Sequence, residues 1–284
     1  PLVAWCARTL SAAGLRPAIV SRGYGARPGE TSDEAAELSL LLPGVPHVAD
    51  RDRVAGARAA AAGGAEAVVL DDGFQHRRLA RDLDIVAVDA TDPFGCGHVF
   101  PRGLLREPLA GLSRGHAVVL TRAALVDAAR REEIRAALDA ATGGRMPAVW
   151  AEASHRPVQL RTASGATLPL DAIRGSRVAA FAGIGNPAAF RRSLEELGAE
   201  VVAFRPLADH HAYTEADLAD LAAWARSTRA DRAITTLKDL VKLRAETLAG
   251  LPLAAVEIAF EFHSGREPLE ALLHEVAGSA CAPS

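Results

Sequence analysis

Short, wholly apolar runs alternate with longer amphipathic segments along most of the chain, and this alternation limits the possible folds more than any other feature. Apolar runs of this uniformity suit strands that are buried on both faces of a parallel sheet. They predict strands at Pro17–Ser21, Ala67–Leu70, Ile85–Asp89, Ala117–Thr121, Pro147–Trp150, Val178–Ala182, Val201–Arg205, Ala233–Thr236 and Leu253–Ile258. The amphipathic segments predict helices at Glu34–Leu42, Arg51–Ala62, Ala123–Ala141, Pro187–Leu197, Glu215–Ser227 and Glu267–Val276. Strands and helices in this order predict an α/β fold with a mostly parallel sheet flanked by helices.

One stretch near the middle of the chain departs from that pattern. Residues 158–170 alternate loosely around Ser164-Gly165, which predicts a β-hairpin with a glycine-containing turn. We interpret this hairpin as the junction between an N-terminal α/β domain, residues 1–152, and a second, smaller α/β domain, residues 153–284. A chain of 284 residues is long enough for two ordinary domains.

Charge and cysteine content argue against several classes of protein. The formal net charge of −3 argues against a nucleic-acid-binding protein, which normally carries a basic face. Cys6, Cys96 and Cys281 are far apart and odd in number, so we expect neither a disulfide framework nor a zinc ribbon, and a reducing cytosol fits best. The sequence has no apolar run of the roughly 18 residues that a membrane-spanning helix needs, and no signal peptide is recognisable.

The first residues already follow a helical pattern. Leu2, Val3, Cys6 and Leu10 are spaced like one face of a helix, and Pro1 suits a first helical turn. Because no strand or capping residue precedes them, we expect that the sequence begins inside a longer protein. A processed or frayed native start is the alternative.

The strongest local motif follows the predicted strand Ala67–Leu70. It reads DDGFQH from Asp71 to His76, so two carboxylates and a glycine come at the carboxyl end of a buried strand. Ligands of open α/β sheets bind at that edge, and Mg²⁺ prefers carboxylate oxygens. The arrangement is that of the Walker-B acids of P-loop enzymes. A plain turn is the alternative, because Asp-Gly is a common turn pair.

Two polar segments come earlier in the chain. SRGYG at residues 21–25 combines two glycines with an arginine and Tyr24, although an ordinary turn explains it as well. Asp33 and Glu34 open a predicted helix, where acids are also plain caps that favour the helix dipole. Neither segment identifies a site by itself.

Four later segments also lie in predicted turns or loops. In DHH-x-YT, Thr214 is a candidate N-cap, and His210 fits a general base paired with a carboxylate better than a zinc ligand. Residues 94–108 form a loop rich in Gly, Pro and Arg, where the arginines could hold phosphate or be plainly solvated. GIGNP at residues 183–187 and TT-x-KD at residues 235–239 are explained at least as well by ordinary strand-to-helix turns.

Taken in order, these motifs resemble the tetraacyldisaccharide 4'-kinases. The order is SRGYG, a DE pair, DDGFQH, FG-x-G followed by P-x-G-x-LREP, F-x-GIGNP, DHH-x-YT and TT-x-KD, and it runs from Ser21 to Asp239. The resemblance implies a P-loop-NTPase-like fold and a need for ATP and Mg²⁺. It implies transfer of the ATP γ-phosphate to the 4'-hydroxyl of tetraacyldisaccharide 1-phosphate, the lipid A disaccharide precursor, in lipid A biosynthesis. It also implies a peripheral enzyme at the cytoplasmic face of the bacterial inner membrane.

The resemblance further implies roles for matched residues. Asp33 matches the family's catalytic acid, which would accept the proton of the sugar hydroxyl, and His210 matches the histidine that orients it. Asp71 and Asp72 match the acids of the Mg²⁺ site. The residues implied to line the nucleotide and acceptor site are Tyr24, Glu34, Gln75, His76 and Arg106.

Departures from the family pattern lead to further expectations. The family's G-T-G-K-T loop, whose backbone N–H groups and lysine hold phosphates, would precede Pro1, so this stretch alone is expected to be a poor kinase or inactive. The family's membrane-docking N-terminal helix would precede it too, so contact with the membrane surface is expected through residues outside this sequence. Before Asp33 the chain is shorter than in the family, and SDEA stands where the family has GDEP.

Two alternatives stay open at this point. One is a non-catalytic paralogue that binds glycolipid or nucleotide, and the other is a P-loop-type kinase for a different sugar or small molecule. An in-frame G-x-x-x-x-G-K-[ST] upstream would favour a kinase, and a panel of acceptors would separate the two kinases.

Overall fold

The computed structural model describes residues 1–23, 32–209 and 211–280. Its helices are α1 (Leu2–Ala12), α2 (Asp33–Leu41), α3 (Arg53–Ala62), α4 (Ala128–Thr142), α5 (Pro187–Glu196), α6 (Glu215–Ser227), α7 (Leu237–Leu243) and α8 (Arg266–Ala280). Its strands are β1 (Pro17–Ser21), β2 (His47–Ala49), β3 (Ala67–Leu70), β4 (Ile85–Asp89), β5 (Ala117–Thr121), β6 (Val149–Arg161), β7 (Thr167–Leu168), β8 (Arg177–Ala182), β9 (Glu200–Pro206), β10 (Arg232–Thr236), β11 (Thr247–Leu248) and β12 (Leu251–Ser264). Among these described helices, none is both long and apolar enough to cross a bilayer.

The predicted α/β class is confirmed, and several strands have the predicted bounds. β1, β3, β4 and β5 begin and end where the uniform apolar runs begin and end. β1 and β5 are almost wholly buried along their length, which is why nearly every position in them is apolar.

Several predicted elements have wrong bounds, and three of them are wrong by five residues or more. The strands predicted at Pro147–Trp150 and Leu253–Ile258 are the much longer β6 and β12, whose outer parts alternate between exposed and half-buried residues. The helix predicted from Ala123 begins at Ala128 instead, because Arg122 takes a φ of +55° and Asp127 caps the helix by accepting a hydrogen bond from the Arg130 N–H at 2.7 Å. The short elements β2 and α7 were not predicted.

The chain divides into two compact units that are not continuous in sequence. Unit 1 consists of Pro1–Tyr24, Gly44–Arg156 and Phe260–Ser284. Unit 2 consists of Gly25–Pro43 and Pro157–Ala259. This division differs from the predicted boundary between residues 152 and 153 in two places, since α8 groups with unit 1 and α2 with unit 2. Whether the predicted domains fold independently stays a prediction.

Unit 1 contains two groups of parallel strands. One is a three-stranded sheet in the order β2-β1-β3, and in the other β4 pairs with β5 and β5 with β6. β3 and β4 are therefore both edge strands. Helices α1 and α8 pack together on an apolar cluster that includes Cys6, Leu10, Leu15, Leu273 and Ala277.

Unit 2 is built on parallel strands in the order β12-β10-β8-β9. Its core includes Leu160, Ile173, Leu194 and Ile234, all fully buried. The end of β6 pairs with β7 in antiparallel fashion, and the Thr162 N–H donates to the Ala166 carbonyl at 2.9 Å. The β-hairpin predicted near residues 158–170 is therefore present.

Candidate active site

The acid pair of DDGFQH lies at the carboxyl end of β3 in unit 1. The Asp71 N–H donates to the Val20 carbonyl at 3.0 Å and so continues the ladder between β1 and β3 by one residue. The strand then ends, because Asp72 takes a φ of +53°, a left-handed conformation that is uncommon for residues other than glycine. At Gly73 a β-carbon would stand 2.6 Å from the Leu70 Cβ, so the turn needs glycine at that position.

The side chain of Arg53 stabilises this turn through a hydrogen bond to its backbone. Arg53 was not predicted from the sequence. Its side chain lies in the first turn of α3 and the residue is 5% exposed. It donates to the backbone carbonyl of Asp71 at 3.0 Å and to that of Asp50 at 3.1 Å. No local pattern in the sequence marks Arg53, because its partner Asp71 lies 18 positions later in the chain.

The electrostatics of the acid pair suit a bound cation. Burial raises the pKa of Asp71, and the neighbouring charge of Asp72 raises it further. A raised carboxyl pKa and a strained backbone at the same turn are typical of functional sites. The two carboxylates supply the oxygen ligands that Mg²⁺ prefers. No set of three or more His, Cys, Asp or Glu side chains in the described chain could hold a metal alone, so water and phosphate oxygens would complete the Mg²⁺ shell.

The LREP segment lies against the acid pair. Arg106 forms an ion pair with Asp72, and the Gln75 side-chain amide donates to a Glu107 carboxylate oxygen at 2.8 Å. Glu107 in turn pairs with Arg114 at 2.8 Å. Two motifs that are separate in the sequence therefore form one polar surface, and Arg106, which was expected to meet phosphate, contacts an acid in this structure.

A cavity of about 950 Å³ opens beside this surface within unit 1. Its polar lining includes Asp71, Asp72, Gln75 and Arg106, and its walls are the edge strands β3 and β4. Pockets for nucleotides and other small molecules have volumes of this order. His76 does not line the cavity, and its Nε2 atom is buried with no hydrogen-bond partner among the described residues.

Asp33 lies in unit 2 as the first residue of α2. Ser32 caps this helix by accepting a hydrogen bond from the Ala35 N–H at 3.2 Å. The Lys242 Nζ atom lies 3.1 Å from the Asp33 carboxylate and also donates to the His211 carbonyl at 3.0 Å. Lys242, which the sequence analysis missed, thus joins the start of α2 to the segment that follows His210. Glu34 is exposed.

The DHH-x-YT segment is only partly described. Thr214 is the N-cap of α6, as predicted, and it forms a reciprocal capping box with Asp217. The His211 Nε2 atom lies 3.5 Å from the Asp217 carboxylate. His210 and Tyr24, both named as site residues above, lie outside the described residues.

The GIGNP and TT-x-KD segments meet each other inside unit 2. Asp239 is fully buried and accepts hydrogen bonds from the Gly183 N–H at 2.9 Å and the Thr236 hydroxyl at 2.6 Å. Asn186 caps α5 by accepting from the Ala189 N–H at 3.0 Å. These contacts support the interpretation of both motifs as strand-to-helix turns.

The candidate site residues therefore form two groups. Asp71, Asp72, Gln75 and Arg106 lie together in unit 1, and Asp33 and Glu34 lie in unit 2. The prediction that the two groups serve one cleft stays a prediction.

Comparison with known proteins identifies the family. The family model described as LpxK, tetraacyldisaccharide-1-P 4'-kinase, matches residues 1–277. A tetraacyldisaccharide 4'-kinase of Anaeromyxobacter sp. strain Fw109-5 is 44% identical over 278 residues, which are 92% of this chain and 74% of that protein. One from Syntrophus aciditrophicus strain SB is 36% identical over 91% of this chain and 75% of its own length.

A solved structure agrees with the sequence relatives. The crystal structure of the "apo" form of LpxK from Aquifex aeolicus in complex with ATP matches with a TM-score of 0.75 and 26% identity, over 97% of this chain and 82% of that one. The predicted P-loop-kinase type of fold is thereby confirmed. The chain belongs to the tetraacyldisaccharide-1-P 4'-kinase family.

Proposed function

We propose that this protein transfers the γ-phosphate of ATP to the 4'-hydroxyl of tetraacyldisaccharide 1-phosphate, a step of lipid A biosynthesis. The observation that carries the proposal is the acid pair Asp71 and Asp72 at the end of β3, on a cavity of about 950 Å³ and against Arg106, in a chain of this family. Phosphoryl transfer depends on positioning and charge stabilisation more than on covalent chemistry, and this surface offers both.

Residues of unit 1 would bind the nucleotide. Asp71 and Asp72 would hold Mg²⁺, which supplies positive charge to the phosphates when it is bound. Arg106 lies close enough to Asp72 to exchange that carboxylate for a phosphate oxygen, because guanidinium binds both in the same two-pronged way. Gln75, whose amide is held by Glu107, lies next to it on the cavity wall.

Residues of unit 2 would act on the acceptor. Asp33 would accept the proton of the sugar hydroxyl, and Lys242 fixes its carboxylate at 3.1 Å. His210 would orient Asp33, and Glu34 would lie beside the acceptor. These roles rest on the motif match.

A reaction on this acceptor implies a site next to a membrane. Four acyl chains make the acceptor a membrane lipid, whereas ATP is dissolved in the cytosol. We therefore place the enzyme at the cytoplasmic face of the inner membrane as a peripheral protein, a location that fractionation of cells by flotation would test.

The direct test is phosphorylation of tetraacyldisaccharide 1-phosphate by the longest reading frame that contains this sequence. Product should require both Mg²⁺ and ATP. Asp71→Asn and Asp33→Asn should each lower turnover by roughly 100-fold or more, since each removes a group that acts in the transition state. The control is Glu132→Gln, an exposed carboxylate on α4, which should keep wild-type turnover. Well-folded protein that binds ATP without forming product would contradict the proposal and favour a binding paralogue.

The printed sequence contains no G-x-x-x-x-G-K-[ST] segment. The expectation that this stretch alone is a poor kinase stays a prediction. Assaying residues 1–284 beside the longest reading frame would test it, and equal turnover of the two would show it to be wrong.

A further inference from the structure

Unit 1 carries a concentrated group of exposed apolar side chains, and two of them, Val99 and Phe100, do not line the cavity on which the proposed chemistry rests. Among the described residues, six large hydrophobic side chains are exposed, and Val99, Phe100 and Leu104 lie within six positions of each other. Phe100 is 77% exposed and Leu104 is 69% exposed. Single exposed apolar residues need no explanation, but several in one loop mark an interaction surface.

The loop that presents them is well fixed by its own backbone. The Phe100 N–H donates to the Leu105 carbonyl at 2.9 Å, and the Leu105 N–H donates back to the His98 carbonyl at 3.1 Å. At Gly103 a β-carbon would stand 2.3 Å from the His98 oxygen, so the fold-back requires glycine. We call residues 98–104 the apolar tip. These backbone hydrogen bonds hold the loop in one conformation before any partner binds. Binding through its exposed side chains would therefore require little further ordering of the backbone.

Within residues 98–104 the one formal charge is that of Arg102, and the nearest acids in the sequence are Asp92 and Glu107. Residues 93–106 contain no Asp or Glu, whereas Arg102 lies between Phe100 and Leu104 in the sequence and is exposed. Arginine can keep its guanidinium at a polar surface while its methylene groups lie on apolar material. Apolar side chains interleaved with a cation match an anionic lipid surface, which offers acyl chains directly beneath phosphate groups.

We propose that the apolar tip inserts into the interface of an anionic phospholipid bilayer, with Phe100 and Leu104 at the acyl boundary and Arg102 among the phosphates. The biological purpose of this contact rests on the proposed function. Arg106, two residues after the tip, is paired with Asp72, so docking would hold the acid pair of unit 1 close to a membrane-borne acceptor.

The test uses vesicles that contain no acceptor, made of phosphatidylethanolamine with phosphatidylglycerol, and measures the bound fraction by flotation. The variant Val99→Ser/Phe100→Ser, at two tip positions that do not line the cavity, should reduce the partition coefficient at least about tenfold, since two apolar side chains no longer leave water. The matched control is Leu125→Ser, because Leu125 is 66% exposed in the same unit but lies outside the tip. Wild-type binding by the double variant, or an equal loss in Leu125→Ser, would overturn the proposal.

The charge is tested separately. Arg102→Gln should weaken binding to the phosphatidylglycerol vesicles severalfold and leave binding to pure phosphatidylcholine unchanged, with the difference disappearing in high salt. Equal effects of Arg102→Gln on both vesicle types would overturn the assignment of an anionic surface.

Turnover distinguishes docking from catalysis. With a short-chain acceptor that stays in solution, the double variant should match the wild-type kcat, whereas with vesicle-borne acceptor its KM should rise. Loss of turnover on the soluble acceptor would show that the tip serves the reaction rather than the bilayer. If no kinase activity is found at all, the proposed function fails, and the acceptor-free flotation result still decides this proposal.

Discussion

Lys242 is the residue whose position says most about how the acceptor side of the site is assembled. Its side chain is 9% exposed, and its single ammonium group contacts both the Asp33 carboxylate and the His211 carbonyl. Placement of a reacting group within about 1 Å can be worth roughly 100-fold in rate. Lys242 is therefore a positioning residue for the carboxylate that is proposed to accept the proton.

We predict that Lys242→Met lowers kcat by about tenfold or more, because Asp33 loses the cation that fixes it. Lys242→Arg should recover part of the rate, since a cation returns with a different shape. Lys238→Met is the matched comparison on the same helix and should cost less, because Lys238 pairs with Asp209 instead. Steady-state rates across a range of pH check this, and wild-type kcat in Lys242→Met would exclude the positioning role.

Asp71 illustrates how a carboxylate that is placed for ligand binding can lower the stability of the folded protein. Its pKa is raised in the folded protein by burial and by Asp72. A raised carboxyl pKa gives stability that is fully present below the unfolded pKa and is lost as pH rises through the folded pKa. Ionised Asp71 therefore destabilises the metal-free protein at neutral and alkaline pH.

Asp71→Asn should accordingly raise the Tm of metal-free protein at about pH 8 and have less effect near about pH 3, below the ordinary aspartate pKa, where the carboxyl is largely protonated in both states. The same variant should lose turnover, as expected where stability and function conflict. Thermal melts at the two pH values check the sign. Glu132→Gln should shift neither melt, and a lower Tm for Asp71→Asn at about pH 8 would contradict the role of burial.

Some of these residues could be predicted from the sequence and others could not. Asp71 and Asp72 follow a strand that its own composition reveals, so their location at a sheet edge could be inferred. Arg53 and Lys242 could not be found, because each acts on a partner distant in the chain and has no local pattern of its own. Even with the structure, His210 keeps only the role that its motif implies.

At the scale of elements, the burial of a strand decides how well its bounds can be predicted. β5 is nearly all buried, and its composition marks both ends. The later part of β6 is different, because polar residues there are held by partners on β12. Arg156 pairs with Glu261 at 2.7 Å, and Arg161 pairs with Glu257 at 2.7 Å. Charged residues are uncommon in strands, so their presence argued against a strand at these positions. The ion pairs with β12 that make them compatible with a strand could not be inferred from the sequence.

The pair on β6 and β12 in unit 2 is buried, and its removal should be costly. The side chains of Arg161 and Glu257 are 10% and 3% exposed. Arg161→Met takes away the cationic partner of a buried carboxylate, so we predict a loss of about 3–5 kcal/mol in the free energy of unfolding. Arg161→Met/Glu257→Leu should lose less than Arg161→Met alone, because no unpaired buried charge remains.

Urea unfolding measures both variants, and the exposed pair in unit 1 provides the control. Arg156 and Glu261 are 63% and 44% exposed, so Arg156→Met should cost about 1 kcal/mol or less. Equal costs for Arg156→Met and Arg161→Met would mean that burial does not govern these two pairs.

At the scale of the whole molecule, unit 1 contains helices from both ends of the sequence, α1 and α8. Leu269 on α8 is fully buried in a cluster with Ala117, Val119 and Ala151 of unit 1. Leu273, also on α8, lies in a second apolar cluster, where it packs with residues of α1. The order of elements along the sequence predicts a boundary near residue 152 and so assigns α8 to the second domain. Nothing in the composition of α8 shows that it packs in unit 1 instead.

These contacts predict that residues 1–152 do not fold alone. Without α8, the fragment leaves the apolar partners of Leu269 and Leu273 open to water, and β6 (Val149–Arg161) is cut after its first four residues. Far-UV circular dichroism during urea titration should show a broad, non-cooperative change for the fragment, whereas residues 1–284 unfold in one or two sharp transitions.

A point substitution separates this effect from the mere shortening of the chain. In the full sequence, Leu269→Ala should lower the free energy of unfolding by about 2–5 kcal/mol, because it opens a cavity in the core of unit 1. Glu267→Ala, on an exposed position two residues earlier in α8, should change it by less than about 0.5 kcal/mol. A sharp transition in residues 1–152, together with a small effect of Leu269→Ala, would show that the boundary near residue 152 separates independent folding units and that α8 only covers a finished core.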